Sequence, residues 1–356
     1  MKEALKMIEA LSNAKAPSGF EDQAVAAARA YAPGEYRLEE DCLRNLYLYR
    51  NANTGDKPVF LLDAHGDEVG FMVHSIKPNG TLRFVTLGGW NLSALPSSRV
   101  LVRNKWGEFI PGVIAAKPVH FMTAEERTRL PSLSSLVIDI GATSYDEAVN
   151  AFGIRIGEPV VSDVEFRYDD KRDVMIGKGF DCRIGCAAML ETLRRLEKED
   201  LKVDLVGLMS AQEEVGERGI RVGVNRVKPK IAICFEGCPA DDTFTEPYAI
   251  QTALKKGPML RFMDVSVICS PRYQRYVLDL AEEKQIPVQA SVREGGGNNG
   301  AIINTALDGI PVVVIGVPVR YIHSHYGIAS YYDFEATVNL AVEVIRSMSQ
   351  EIIDSF

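Results

Sequence analysis

Four short runs of apolar residues constrain this chain more than any other feature. They are Val59–Leu62, Val203–Met209 (apolar apart from Asp204), Ile231–Phe235 and Val312–Ile315. A strand with one wet face alternates polar and apolar residues, whereas a near-continuous run marks a strand covered on both faces. Such strands belong to the central sheet of an α/β domain. The residues just past each run matter as much. His65 and Asp67 come after the first, Glu213 and Glu214 after the second, Glu236 after the third, and Arg320 and His323 after the fourth. Open α/β sheets bind ligands beyond the carboxyl ends of their strands. The four strands therefore bring histidine or carboxylate to one edge of one sheet. Asp181, just ahead of a helical stretch, joins them if its loop reaches that edge.

The rest of the chain divides around those strands. Leu5, Ile8 and Leu11 repeat at helical spacing, and Ser18 with Glu21 has the spacing of a capping box opening a second helix to about Tyr31. Tyr36 to Tyr49 reads as one or two strands about an Arg44-Asn45 turn, and helices are expected over Cys186–Leu196, Pro271–Lys284 and Asp333–Met348. Between Phe71 and Val161 the texture changes. Short alternating runs (Leu82–Val85, Val100–Val102, Val137–Ile140) are separated by Gly, Pro and Asn, which predicts a small β-rich barrel or sandwich. Within it, Lys117–Ser135 is polar and proline-flanked, a candidate long loop. The expected organisation is an α/β domain built from 1–70 and 162–356, interrupted by a β-rich insertion at 71–161.

A net charge of −8 argues against a nucleic-acid partner held through phosphates. The N-terminal stretch is amphipathic and charged, and no run of about 18 apolar residues occurs, so a cytoplasmic protein with no membrane partner is expected. The six cysteines (42, 182, 186, 234, 238, 269) are then reduced. Cys182/Cys186 and Cys234/Cys238 have a spacing that a four-thiolate zinc site permits. They lack the usual knuckle turns of such sites, and the plainer reading is small buried thiols.

Chemistry collects in the residues after the strands. Two histidines and three carboxylates suffice to hold two metal ions with one carboxylate shared. Of the histidines at 65, 74, 120, 323 and 325, only His65 and His323 come after buried strands of the main sheet closely enough to serve. Neighbouring residues at a strand end point in different directions, so Glu213 and Glu214 can divide two tasks, one on a metal and one on a proton.

His65-Gly66-Asp67-Glu68-Val69-Gly70, Phe180-Asp181-Cys182-Arg183-Ile184-Gly185, Glu213-Glu214-Val215-Gly216-Glu217-Arg218-Gly219 and Arg320-Tyr321-Ile322-His323-Ser324 resemble the motifs of the M42 family of metallo-aminopeptidases. That family includes glutamyl and tetrahedral (TET) aminopeptidases, and some members have been labelled endoglucanases. The resemblance runs in order over nearly the whole chain. It implies a mixed-sheet zinc-exopeptidase domain (phosphorylase/hydrolase-like) with an inserted small β-barrel, PDZ-like, that serves dimer contacts and assembly of a dodecamer. It also implies roles. His65, Asp181 and Glu236 would hold one ion, and Asp181, Glu214 and His323 the other, with Asp181 bridging. Glu213 would be the general base and Asp67 would orient His65. The two divalent ions would be zinc or cobalt, with manganese also compatible, and the substrates short peptides cleaved from the N-terminus.

Departures from the family pattern bear on substrate. Glu236 stands where many relatives have Asp, Asn298 where an acid is usual, and Cys182 where Asn is frequent. Asn298, Arg320 and His120 are the expected substrate contacts. His120 sits on the long loop and, by the resemblance, reaches a neighbouring subunit's site. Arg320 either favours an acidic N-terminal side chain or pairs with an internal carboxylate. Two other readings stay open from the residues. A glycoside hydrolase would use paired carboxylates and leave His65 and His323 idle. A non-catalytic relative would keep the scaffold without a full metal complement.

Overall fold

The computed structural model describes residues 3–356; Met1 and Lys2, at the head of the amphipathic N-terminal stretch, lie outside the described residues. The chain runs through α1 (Glu3–Asn13), α2 (Asp22–Tyr31), β1 (Tyr36–Glu40), β2 (Leu46–Arg50) and β3 (Val59–His65). Next come β4 (Gly70–Ile76), β5 (Leu82–Leu87), β6 (Arg99–Arg103), β7 (Phe109–Ala115), β8 (Val137–Asp139) and β9 (Pro159–Ser162). It continues with β10 (Arg167–Asp169), β11 (Val174–Gly177), α3 (Phe180–Leu196), β12 (Asp204–Ser210), α4 (Arg218–Val227) and β13 (Ile231–Pro239). The last part holds β14 (Met259–Met263), α5 (Pro271–Glu283), β15 (Gln289–Val292), α6 (Gly300–Asn304), β16 (Val312–Arg320), β17 (Gly327–Ala329), α7 (Tyr331–Ser347) and α8 (Gln350–Asp354). Two compact units emerge. Of the described residues, one comprises 3–67 with 166–322 and 326–356, the other 68–165 with 323–325.

The first unit is an α/β layer structure around a mixed sheet ordered β1-β2-β12-β3-β13-β16-β17-β11-β10, with β14 on β16 and β15 on β14. The four apolar runs are its centre: β12, β3, β13 and β16 pair in parallel. Their alternate residues enter two different cores. Phe60, Leu62, Ile233, Phe235, Val313 and Ile315 pack with α1, α2, α3, α5 and α7. Leu61, Leu208, Ala232, Cys234, Val312 and Val314 pack on the other side with α4 and α6. Burial on both faces is why these strands carry no alternation. At the sheet margin, β1 and β2 form an antiparallel hairpin, turned by Arg44 at φ +73°.

Two local expectations are corrected. Ser18 and Glu21 do not form a capping box; α2 begins at Asp22 with no side-chain cap, because both side chains bond to other segments, at Asp67 and Gln212. The helix expected from Cys186 begins at Phe180 instead, with non-helical backbone at Asp181 and Cys182. That break lets the Asp181 carboxylate leave the helix direction.

Gly237 of β13 sets how closely this segment approaches the sheet. A Cβ there would lie 2.4 Å from the Phe180 carbonyl oxygen and 2.9 Å from the Asp181 Cα. Only a residue without a Cβ lets the start of α3 rest against β13 beside Glu236. Gly237→Ala is therefore expected to cost about 1–3 kcal/mol of stability. Melting temperature checks it; a variant with an unchanged value would show that the backbone yields freely here.

The second unit is a closed antiparallel barrel, β4-β5-β8-β7-β6-β9, so of the two β-rich options it is the barrel. Phe71, Val73, Phe84, Val100, Val102, Ile114, Ile138 and Val160 fill it, with Phe71 edge-on to Phe84 and stacked on Trp90. Between β7 and β8, residues 117–135 contain short 3-10 turns and no strand. No described helix is long and apolar enough to cross a membrane.

Candidate metal centre and active site

The parallel register places the strand ends at a common level. His65, the last residue of β3, stands opposite Ser210, the last of β12, and Glu236 of β13 comes soon after the segment paired with β3. The His65 Nε2 lies 3.3 Å from Asp181 Oδ1, 3.7 Å from Glu213 Oε2 and 4.0 Å from Glu236 Oε2. Donor atoms of His65, Asp181 and Glu236 lie within 4.8 Å of one another, as do those of His65, Glu213 and Glu214 and those of Asp181 and Glu214. His65 is 1% exposed, while the carboxylates of Asp181 and Glu213 keep 14% and 12% of their surface. The cluster is recessed yet open to solvent on the carboxylate side.

Asp67 organises the cluster from behind. Its Oδ1 lies 3.4 Å from His65 Nδ1 and accepts the Glu213 backbone N–H at 3.0 Å. Its Oδ2 accepts the Glu214 backbone N–H at 3.2 Å and the Ser18 hydroxyl at 2.6 Å. One carboxylate thus lies behind the imidazole and accepts the backbone of the loop that carries both glutamates. These bonds and His65 hold Asp67 below the usual carboxylate range despite its burial.

The remaining charges are out of balance. Burial pushes Glu213 up to about 7, opposed by His65 and helped by the Asp181 and Asp67 carboxylates. Burial, with Asp181 and Glu213 beside it, drives Glu236 well above its ordinary range. His65 is raised too: burial works against its charge, but Glu213, Asp181 and Asp67 outweigh it. Several buried carboxylates around one imidazole are a set that protein charges alone do not neutralise. Oxygen donors mixed with one imidazole nitrogen suit a divalent cation of the zinc, cobalt or manganese type, so the residues fit a metal.

Other predicted residues fall elsewhere. Asn298 is buried and spent internally, donating to Asp264 Oδ2 at 2.7 Å and accepting the Gly300 N–H at 2.8 Å. An aspartate there would face the Asp264 carboxylate, so the amide is the compatible residue. Arg320 forms a two-pronged pair with Asp242 at 2.8 and 2.7 Å, the internal carboxylate that one of its two readings called for. His120 lies on an exposed 3-10 turn (Val119–Phe121) of the long loop. His323 lies just past the end of β16 with φ +55° and groups with the barrel unit. The four spaced cysteines are buried thiols. The Cys182 thiol donates to the Phe235 carbonyl and that of Cys186 to the His65 carbonyl, and burial pushes Cys186 and Cys238 up to about 12.

The sequence reading missed several supporting residues. Asn299, not Asn298, reaches the strand ends, donating at 2.8 Å to both Asp63 Oδ2 and Ser210 Oγ. Arg183 grips the carbonyls of Gly66, Ala14 and Ala16. Glu21 accepts N–H bonds from Gly19 and Gln212 at 2.7 and 3.1 Å. Burial, with Asp67 nearby, raises Glu21 from 4.5 to about 7. A raised carboxyl favours the folded state below its unfolded value and loses that advantage as pH rises through the folded one. Relative to Glu21→Gln, the wild type is therefore expected to lose about 3 kcal/mol of stability between pH 4.5 and pH 7 and above. Denaturant unfolding at pH 4.5 and 8 reads this directly; parallel profiles for the two proteins would remove Glu21 as its source.

Residues 45–340 match the model of the M42 glutamyl aminopeptidase family. The chain belongs to that family. It is 33% identical over 352 residues to a glutamyl aminopeptidase of Lactococcus lactis subsp. cremoris, covering 98% of each chain. Its fold matches the TET aminopeptidase of a marine sediment archaeon, Thaumarchaeota archaeon, with a TM-score of 0.94 at 34% identity, covering 99% of each chain. It also matches the Pyrococcus horikoshii TET1 peptidase, described as assembling into a tetrahedron or a large octahedral shell. There the TM-score is 0.86 at 26% identity, over 97% of this chain and 100% of that one. This M42 chain is accordingly a hydrolase of the aminopeptidase class, and its family implies divalent metal.

Proposed function

We propose that this M42 chain is a dinuclear metal-dependent aminopeptidase that removes N-terminal residues from short peptides, with Glu213 as general base. The observation that carries the reading is the convergence of His65, Asp181, Glu214 and Glu236 beside a second glutamate held separately by its own backbone bond to Asp67. His65, Asp181 and Glu236 would hold one ion. Asp181, Glu214 and His323 would hold the other, with Asp181 shared. Two divalent ions, zinc by preference and cobalt or manganese by compatibility, would polarise the scissile carbonyl and acidify water when bound.

The chain's own residues do the rest. Asp67 fixes the His65 ring by facing Nδ1, so that Nε2 points at the carboxylates. Glu213, adjacent to a ligand, accepts the proton of the attacking water and returns it to the departing amine. Burial raises it toward neutrality and a cation beside it lowers it again, which keeps it ionised and basic near pH 7. The excess of carboxylates attracts the positive α-amino group of a peptide, favouring cleavage at that end. The carboxylates crowd around one imidazole; glycoside hydrolysis instead needs a pair facing each other about 5–10 Å apart.

The barrel unit would serve dimer contacts within a dodecamer, a reading supported by the assemblies described for the P. horikoshii relative. His120, on its exposed loop, would reach the site of a neighbouring copy. The free cysteines agree with a cytoplasmic setting. A panel of aminoacyl chromogenic substrates, assayed with zinc, cobalt or manganese and after chelation, tests the reaction. Release that requires metal and a free amino group is expected; cleavage of N-blocked peptides at equal rate would overturn the exopeptidase reading.

A further inference from the structure

The segment between α1 and α2, Pro17-Ser18-Gly19-Phe20-Glu21, lies far from the site in sequence, yet two of its side chains reach the machinery of the loop that bears Glu213. The Ser18 hydroxyl donates to Asp67 Oδ2 at 2.6 Å, and that carboxylate in turn accepts the backbone N–H groups of Glu213 and Glu214. Glu21 Oε1 accepts the backbone N–H of Gln212 at 3.1 Å. Three consecutive backbone donors, 212 to 214, therefore end on carboxylates that this segment supplies or holds.

That concentration has a reason in the backbone. Gln212 sits at φ +56°, a left-handed conformation that a residue with a side chain adopts only where its surroundings insist. The loop has to leave β12 and turn sharply so that Glu213 and Glu214 face the imidazole. Glu21 holds the turn at its start, and Ser18 holds the carboxylate that fixes its next two residues. The segment is itself anchored from the metal side. Arg183, two residues after Asp181, donates to the carbonyls of Ala14, Ala16 and Gly66, and Lys178 donates to Ala14. Ser18 and Glu21 are 4% and 1% exposed, so neither serves as a solvated surface group.

We infer that Ser18 and Glu21 are positioning residues for the general base: together they set where the Glu213 carboxylate stands relative to the metal ligands. This rests on the reading of Glu213 as base. Neither residue touches substrate, and both act through the 212–214 loop. For Glu21 the role requires an oxygen acceptor and no charge, so glutamine replaces it and alanine does not. For Ser18 it requires a hydroxyl, so threonine replaces it and alanine does not.

The test uses the full-length, metal-replete enzyme. Ser18→Ala and Glu21→Ala are expected to lower kcat roughly 10- to 100-fold, the range typical of groups that orient a site from behind, with KM within about threefold and the bound metal unchanged. Ser18→Thr and Glu21→Gln are expected to recover most of the turnover. A double-mutant comparison separates positioning from general weakening. Placed on Glu213→Gln, Ser18→Ala should cost little more, because the group it positions no longer takes a proton. Unchanged kcat in both alanine variants, loss of metal or of folding as the cause of a decline, or an undiminished Ser18→Ala effect on the Glu213→Gln background would each overturn the inference. Should Glu213→Gln itself prove fully active, the base assignment fails first, and that result is read independently of Ser18 and Glu21.

Discussion

Glu213→Gln is expected to lower kcat by about 10²- to 10⁴-fold while the protein keeps its metal content and melting temperature. The amide fills the same volume, and the backbone N–H that bonds to Asp67 is untouched, so the loop has no cause to move. What disappears is a basic oxygen that can take a proton from water. Glu214→Gln should differ in kind. As a proposed ligand, its loss shows first in metal titration, with one class of ion bound more weakly, and in turnover only as a consequence. Measuring kcat and metal stoichiometry on both variants separates adjacent glutamates that a sequence alone leaves interchangeable. Full turnover by metal-replete Glu213→Gln would remove it from the role of base.

The second large effect is on the metal itself. Exhaustive chelation should reduce peptide hydrolysis by at least about 10³-fold, since the ion contributes several kcal/mol of charge stabilisation, and zinc or cobalt should restore it. The same treatment should lower the melting temperature. Ligands that bind only the folded chain stabilise it by about 3–4 kcal/mol at 100 to 1,000 times their dissociation constant, and here binding also relieves the crowding of Asp181, Glu213 and Glu236 around His65. Hydrolysis that survives chelation to less than about one ion per ten chains would sink the metal-dependent reading.

The four apolar runs made the parallel centre of the sheet legible, because burial on two faces leaves a mark that no local turn or cap obscures. The clustering of His65, Glu213, Glu214 and Glu236 past three of these runs was legible for the same reason: a residue just past such a strand has few places to be. The supporting contacts were not. Ser18 and Glu21 match a capping box, yet their side chains bond to Asp67 and Gln212, partners far away in sequence that no helical spacing encodes. Asn298 and Asn299 are neighbours of one type, and only the fold shows that the second reaches Asp63 and Ser210 while the first is satisfied by Asp264. Arg320 carried two readings, and only the fold shows its partner Asp242. Charged residues are the hardest to place from sequence, since their position depends on a partner chosen in three dimensions.

The pairing of β3 with β12 and β13 has a consequence for how the molecule matures. Side chains alternate along a strand, so a slip of one residue between β3 and either neighbour would carry His65 to the far side of the sheet, away from Asp181 and Glu236. A slipped chain could still bury its apolar residues, because both faces of these strands are greasy, but it would have no site for an ion. On the proposed ligand set, metal capture would therefore depend on the correct pairing, which hydrophobicity alone does not select.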